Sequence, residues 1–256
     1  KSNFRYYDDE MLRLLLNVTI LGRNGYMISS IDKMDESQIN EKIAELFIEK
    51  STNYQDIQDT LISLSLELEE EKFNKLYDQL VITHGMLICL KEIIYPFLRK
   101  VGLYWTTSKI LPAQERFITN LIRQKLIVAI DSLPMADKDA PGLVLFLPEH
   151  ELHELGLLLS FYLARDLGWR VYYLGQNVPV ENVSSTISIS NADVVMTILT
   201  TPRSEPIEKL VSSIQAEKGI SILMSGLSPE IKMVKNDPRV TLIEGPDEFI
   251  KFLSTA

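Results

Sequence analysis

The sequence is poor in the residues that build disulfide scaffolds and metal clusters. Its 256 residues include one cysteine and three histidines. The single cysteine, Cys89, excludes a disulfide within the chain, and its apolar neighbours predict a small buried side chain and not a catalytic thiol. No apolar stretch is long enough to predict a membrane-spanning helix, and the N-terminus lacks the hydrophobic segment of a signal peptide. We therefore expect a cytoplasmic protein with no membrane partner.

Acidic residues outnumber basic ones. The chain carries 35 Asp and Glu against 26 Lys and Arg, a formal net charge of −9 at pH 7. This balance argues against a protein that covers nucleic acid with its whole surface, so we expect any DNA contact to be local. With 46% hydrophobic residues the chain is too apolar to be mainly disordered. Because the first residue is Lys1, we expect the sequence to begin inside a longer protein.

Residues 141–256 alternate short β-branched or aromatic runs with longer amphipathic stretches, which is typical of a parallel sheet flanked by helices. The pattern predicts an α/β domain with a doubly wound, parallel five-stranded sheet of Rossmann or flavodoxin type. In such sheets ligands bind beyond the carboxyl ends of the strands. The predicted strands are Leu143–Leu147, Arg170–Leu174, Val194–Leu199, Ser221–Ser225 and Val240–Glu244.

Two helical regions precede this sheet. Residues 41–135 carry apolar residues at helical spacing, most clearly over Ile57–Gln79 and Gln114–Ile130, and are predicted to form an all-α bundle. Residues 1–40 contain two short helices, which are too few to build a core alone. Breaks in the bundle are expected at residues 51–53, 83–85 and 96–112.

The loop after the first predicted strand holds the main candidate for chemistry. It contains Glu151, His153 and Gly156, with the glycine opening the next helix. A histidine at the mouth of a parallel sheet is placed to ligate something that lies across the strand ends. The sequence shows no nucleophile–base pair and no phosphate-binding glycine loop, so we expect no enzymatic activity.

This loop resembles that of cobalamin-binding domains. The family carries Asp-x-His-x-x-Gly here, then Ser-x-Leu after the third strand and Gly-Gly after the fourth. The corresponding segments of this chain are Glu151-x-His153-x-x-Gly156, Thr197-Ile198-Leu199 and Ser225-Gly226.

The resemblance implies a cobalamin cofactor whose nucleotide tail leaves the cobalt and inserts beside the sheet. His153 would replace it as the lower axial cobalt ligand, and Glu151 would hold the other ring nitrogen. Gly156 would let the helix start run close to the tail. The remaining implied cofactor-binding residues are Thr197, whose hydroxyl would contact the buried base, together with Leu199, Ser225 and Gly226.

A second resemblance concerns the helical region. Trp105 and Glu115 are placed as in the four-helix cap of cobalamin-dependent MerR-type regulators, where Trp followed by Glu-His covers the upper face of the corrin. Arg116 stands where that histidine would be. A guanidinium does not replace an imidazole as a cobalt ligand, so histidine ligation on both faces of the corrin is not expected.

The N-terminal segment resembles the wing and following helices of the MerR DNA-binding domain. In that family an Arg-Tyr pair of the wing contacts phosphates, a role that the resemblance assigns to Arg5 and Tyr6. Residues 1–40 would then be the C-terminal part of a winged helix-turn-helix, and its base-reading helix would precede Lys1.

Together these features favour a MerR-type transcriptional regulator that binds DNA, forms a homo-oligomer, and senses cobalamin or a replacement ligand. Two alternatives stay open. One is a corrinoid carrier of a methyltransferase system, which also joins a helical bundle to a cobalamin domain. The other is a cofactor-free oligomerisation module that keeps the fold.

Overall fold

The structure, a computed structural model, describes residues 9–35, 38–39, 42–43, 53–106, 110–203, 205–214 and 219–255. It divides into two units, Lys1–Leu121 and Ile122–Ala256. The boundary between the two units falls inside a helix, and the three pieces suggested by the sequence, 1–40, 41–135 and 141–256, stay a prediction. Within the described ranges no helix is both long and apolar enough to cross a membrane.

The first unit is helical. Its buried apolar residues recur at the helical spacing predicted from the sequence. Cys89 is fully buried, and this burial raises the pKa of its thiol to about 12. In chain order the elements are α1 (Asp9–Arg23), α2 (Ile28–Ile31), α3 (Tyr54–Leu66), α4 (Glu70–His84), α5 (Met86–Ile88), a π-helical segment (Cys89–Ile94), α6 (Tyr95–Thr106) and α7 (Pro112–Asp131), which continues into the second unit.

The predicted helical stretch Ile57–Gln79 is interrupted. Helix α3 ends at Leu66 and α4 starts at Glu70, because Leu68 takes a left-handed conformation with φ of 57°. Because leucine rarely adopts this conformation, the residue at the turn is not one from which a break in the helix would be predicted. By contrast, the break predicted at residues 83–85 occurs at Gly85, whose φ is 80°.

Pro96 lies within the first turn of α6 instead of ending a helix. A proline lacks the N–H that would bond to the carbonyl four residues earlier, here that of Glu92. That carbonyl accepts a hydrogen bond from Gln58 Nε2 at 3.3 Å instead. The π-helical segment Cys89–Ile94 ends just before this position. A side chain from α3 therefore replaces the bond that the proline removes.

A cluster of charged residues joins three helices of the first unit. Asp56 and Asp59 on α3 are 2% and 4% exposed. Arg23, at the end of α1, places Nη1 3.0 Å from Asp56 Oδ1 and 3.1 Å from Asp59 Oδ2. Lys100 of α6 approaches Asp59 Oδ1 at 2.9 Å. Because both carboxylates are buried, the cations neutralise charges that water does not reach.

We predict that Arg23→Gln lowers the free energy of unfolding by about 1–3 kcal/mol, because it leaves two buried carboxylates with fewer charged partners. Urea denaturation at pH 7 measures this change. The matched control is Lys75→Gln, which removes an exposed i,i+4 pair with Glu71 and should leave the unfolding midpoint unchanged. Equal midpoints for the Arg23 variant and the wild type would contradict the prediction.

The second unit contains the predicted sheet, and its fold class is confirmed. All neighbouring strands are parallel, in the order β2-β1-β3-β4-β5. The strands are β1 (Gly142–Pro148), β2 (Arg170–Val178), β3 (Val194–Ile198), β4 (Ser221–Ser225) and β5 (Val240–Leu242). The helices are α8 (Glu154–Asp166), α9 (Val180–Ser190), α10 (Ile207–Ile214), a 3-10 helix (Pro229–Val234) and α11 (Pro246–Thr255).

The two faces of the sheet are covered by different helices. On one face Phe146, Val195 and Met224 form a buried core with side chains of α9 and α10. On the other face α8 packs on the sheet and against α11, and Trp169 Nε1 donates to the Leu253 carbonyl at 3.2 Å. Since side chains alternate along a strand, each strand residue is assigned to one of the two faces.

Candidate functional site

The loop between β1 and α8 is built around the buried side chain of Glu151. This residue is 3% exposed. Its Oε1 accepts from the backbone N–H groups of Leu152 and His153 at 3.1 and 3.2 Å. Its Oε2 accepts from the N–H groups of Thr200 and Thr201, at 2.6 and 3.0 Å, and from Thr201 Oγ1 at 3.1 Å. The carboxylate thus ties the loop after β1 to the loop after β3.

Glu151 is ionised at neutral pH despite its burial. Burial acts to raise the pKa of its carboxyl group, but the hydrogen bonds from the His153 ring and from the backbone N–H groups of Thr201, Thr200 and His153 outweigh it. The pKa falls to about 2. The Glu151 carboxylate is therefore a buried negative charge whose ionised form is stabilised almost entirely by hydrogen bonds.

The imidazole of His153 is oriented by this carboxylate. Its Nδ1 lies 2.6 Å from Glu151 Oε1. Because an ionised carboxylate can only accept, the proton between them belongs to Nδ1, and in the neutral ring Nε2 carries the lone pair. The His153 side chain is 56% exposed, against 3% for Glu151. The contact between the imidazole and the carboxylate that the resemblance implied is therefore present, while the role of His153 as a cobalt ligand stays a prediction.

Gly156, in the first turn of α8, meets the sheet at Ile198. A Cβ atom at position 156 would lie 2.8 Å from Ile198 Cδ1, closer than packed carbon atoms approach. The absence of a side chain at Gly156 therefore allows α8 to approach β3. Ile198, whose side chain occupies the space next to Gly156, is the middle residue of Thr197-Ile198-Leu199, the segment that resembles the family's Ser-x-Leu.

Thr197 and Leu199 do not lie on the side of the sheet that meets Gly156, and their role as cofactor-binding residues stays a prediction. Thr197 pairs laterally with Phe146 and Met224, which belong to the core against α9 and α10. Leu199 belongs to that same core. The reason is the alternation of the strand: if Ile198 faces α8, its neighbours face the opposite side. Thr197 is 1% exposed, and its hydroxyl has no hydrogen-bond partner among the described residues.

In this segment of β3 the side chains on the α8 side of the sheet are those of Met196 and Ile198, which were not predicted as site residues. Met196 is 2% exposed and pairs laterally with Leu145 and Leu223. Aligning the family's Ser-x-Leu pattern one position earlier, with residues 196–198 instead of 197–199, would have included both side chains. Only the pairing register of the strands, which the structure shows, supports that alignment.

Ser225 and Gly226 form the end of β4. The Ser225 hydroxyl donates to the Ile243 carbonyl at 2.6 Å. Gly226 has φ of 120°, and a Cβ atom there would overlap the Leu199 carbonyl oxygen. Only glycine fits this position. The pair keeps the loops after β3 and β4 in close contact, since the Ser228 N–H also donates to the Leu199 carbonyl at 3.0 Å.

A second carboxylate next to His153 was also missed. Glu154 Oε2 accepts from Arg123 Nε at 2.8 Å and from Gln176 Nε2 at 2.9 Å, and Oε1 accepts from the Tyr173 hydroxyl at 2.7 Å. Burial and this hydrogen bond raise the pKa of Tyr173 well above its usual range. The ring of Tyr173 stacks on Phe161 of α8 at 5.3 Å. These contacts fix the first turn of α8.

The predicted cap residues belong to the first unit. Trp105 lies in α6, and Glu115 lies in the first turn of α7, where it accepts from Thr119 Oγ1 at 2.9 Å. Arg116 is exposed beside it. The role of Trp105 and Glu115 as a cap stays a prediction. Arg5 and Tyr6 lie outside the described residues.

Comparison with known proteins supports a cobalamin domain. Residues 57–129 match a family described as a B12 binding domain. The chain is 24% identical over 199 residues to the HTH-type transcriptional repressor CarH of Myxococcus xanthus. This match covers 76% of the chain and 66% of the relative, so the chain spans just under two thirds of that protein. Residues 57–129 are thus similar to a B12 binding domain, in agreement with the expected cofactor.

The fold also matches a solved structure. The monomethylamine corrinoid protein of Methanosarcina barkeri superposes with a TM-score of 0.64 at 17% sequence identity. The match covers 80% of this chain and 100% of that protein. At this identity the likeness shows a shared fold. The expectation that the chain is not itself an enzyme agrees with the curated relative, a transcriptional repressor.

We predict that Glu151→Gln destabilises the second unit by about 1–3 kcal/mol at pH 7, because the amide N–H₂ would face backbone donors in a buried place. Denaturant unfolding of both proteins measures the difference. Glu149→Gln, an exposed substitution in the same loop, is the control and should have no effect.

The pH dependence gives a further check of this prediction. The folded pKa of Glu151, about 2, lies below its ordinary value of 4.5. The stabilisation is therefore complete above pH 4.5 and is lost as the pH falls toward 2. The difference between the wild type and Glu151→Gln should shrink over this interval. A difference that stays constant down to pH 2.5 would contradict the assignment.

Proposed function

We propose that this chain binds cobalamin through His153, as the lower axial cobalt ligand, and that it is the sensing part of a MerR-type transcriptional regulator. The observation that carries the proposal is the pair formed by His153 and Glu151. A half-exposed imidazole, oriented by a buried and ionised carboxylate at the carboxyl ends of parallel strands, suits a metal ligand whose second nitrogen is fixed by its neighbour.

The residues around His153 fit a corrin better than a bare metal ion. Both oxygens of Glu151 are already occupied by hydrogen bonds, so this carboxylate orients the ligand and does not coordinate the metal itself. A metal at Nε2 must therefore bring most of its other ligands with it, and in a corrin the ring nitrogens supply them. When bound, cobalamin supplies a cobalt centre with an exchangeable upper ligand.

The regulatory part of the proposal is supported by the N-terminal half of the chain. Residues 57–129 match the B12 binding domain family, and the curated relative is a repressor of helix-turn-helix type. Helix α1 packs on α3, the first helix of the matched segment, and is held there by Arg23. In the proposal, a DNA-binding module that includes Arg5 and Tyr6 contacts phosphates, and the chain acts as a homo-oligomer.

Cobalt ligation is tested by titrating the protein with hydroxocobalamin and following the absorption spectrum after gel filtration. We expect coloured protein with one corrinoid per chain. His153→Ala should weaken binding by more than about 100-fold, since loss of an outer-shell partner alone costs about 10- to 100-fold. His150→Ala, an exposed histidine of the same loop, is the matched control and should bind normally. Colourless wild-type protein would refute the proposal and favour the cofactor-free module.

The same pair of residues would also serve a corrinoid carrier of a methyltransferase system. Gel shifts with the full-length protein and its own upstream DNA separate the two functions. A regulator should show sequence-preferring binding that changes when cobalamin is added. Cobalamin uptake without any DNA preference would contradict the regulator and support the carrier.

A further inference from the structure

The sheet face that meets α8 differs in this protein from that of a cobalamin site that recognises the lower base. The inference drawn from this difference rests on the proposed function. If His153 were to hold the cobalt as proposed, the lower base of cobalamin would be displaced from the metal and would need room near the strand ends and the start of α8. The surface in that place is formed by Met196 and Ile198, with Leu145 and Leu223 in the same row as Met196 and Ser225 in the same row as Ile198.

A displaced benzimidazole exposes a ring nitrogen with a lone pair, which needs a hydrogen-bond donor. Two hydroxyls close to the contact between Gly156 and Ile198 in the fold, one a helical turn after Gly156 and one in the row of Ile198, already donate to backbone carbonyls. Ser160 donates to the Gly156 carbonyl at 3.0 Å, and Ser225 donates to the Ile243 carbonyl at 2.6 Å. The uncommitted hydroxyl of Thr197 lies on the opposite face of the sheet, among the core residues against α9 and α10.

The space for the base is also occupied. Ile198 fills the position next to Gly156, and Met196 is buried below it. Inserting the base therefore requires moving apolar side chains, and it would leave the base nitrogen without a partner in an apolar place. An unsatisfied buried acceptor costs about 1–3 kcal/mol.

We propose that this site recognises the corrin ring and the cobalt, and does not recognise the lower base. Its ligand class is then corrinoids in general, including those with no base. If His153 holds the cobalt, the lower base of cobalamin would have to give up its own bond to the metal, and the side chains of Met196 and Ile198 would offer its nitrogen no hydrogen bond in exchange. Cobinamide, which lacks the base, has no such bond to break.

The test compares wild-type titrations with aquacobinamide and with hydroxocobalamin in the same absorption assay. We expect cobinamide to bind at least as tightly as cobalamin, with a Kd equal or lower. Cobalamin that binds more than about tenfold more tightly than cobinamide would overturn the inference while leaving cobalt ligation by His153 intact. If neither corrinoid binds, the proposed function itself fails.

Two substitutions at adjacent positions of β3 make the test more specific, because the two side chains lie on opposite sides of the sheet. Ile198→Ser opens space beside Gly156 and adds a hydroxyl donor there. It should raise cobalamin affinity about tenfold relative to cobinamide. Thr197→Val removes the buried hydroxyl on the other face with little change of shape, and it should leave the ratio of the two affinities unchanged. Loss of cobalamin affinity alone in Thr197→Val would show that the threonine recognises the base and would refute the inference.

Discussion

The candidate site depends on the hydrogen bonds that hold one buried carboxylate. Glu151 is shielded from water, yet donors from the loops after β1 and β3 keep it ionised. These two strands are neighbours in the sheet. The orientation of His153 is therefore set by the spacing of two hydrogen-bonded strands and not by the conformation of one loop. A ligand of the exposed imidazole meets a ring that the sheet holds in place.

The second constraint is the alternation of side chains along β3. A shift of one residue in a strand moves a side chain from one face of the sheet to the other. The hydroxyl of Thr197 and the side chain of Ile198 are neighbours in sequence, but they lie in different cores. This alternation decides whether β3 offers a polar or an apolar side chain to a ligand beside α8. Here β3 offers Met196 and Ile198, and the hydroxyl of the neighbouring Ser225 already donates to the Ile243 carbonyl.

The parallel sheet could be predicted from the sequence because each strand is a short apolar run between turn residues. The strand Ser221–Ser225 has the predicted bounds, and β3 differs only by ending at Ile198. The Glu151–His153 pair was also predictable, since two residues of the same loop determine it. What could not be predicted depends on distant contacts. Glu154 finds Arg123 and Tyr173 at separations of 31 and 19 residues, and no local pattern marks these pairs.

If His153 binds cobalt as proposed, the polar contacts around it decide which neighbouring elements would respond. Glu154 follows His153 directly and accepts from Arg123, in the part of α7 that belongs to the second unit. A ligand held in this way would concentrate its interaction at His153, because the side chains of Met196 and Ile198 add no directional contact. Displacement of the imidazole would therefore act first on the start of α8 and on its contact with Arg123. Under the proposed function, such a site would respond to the state of the cobalt more than to the identity of the corrinoid tail.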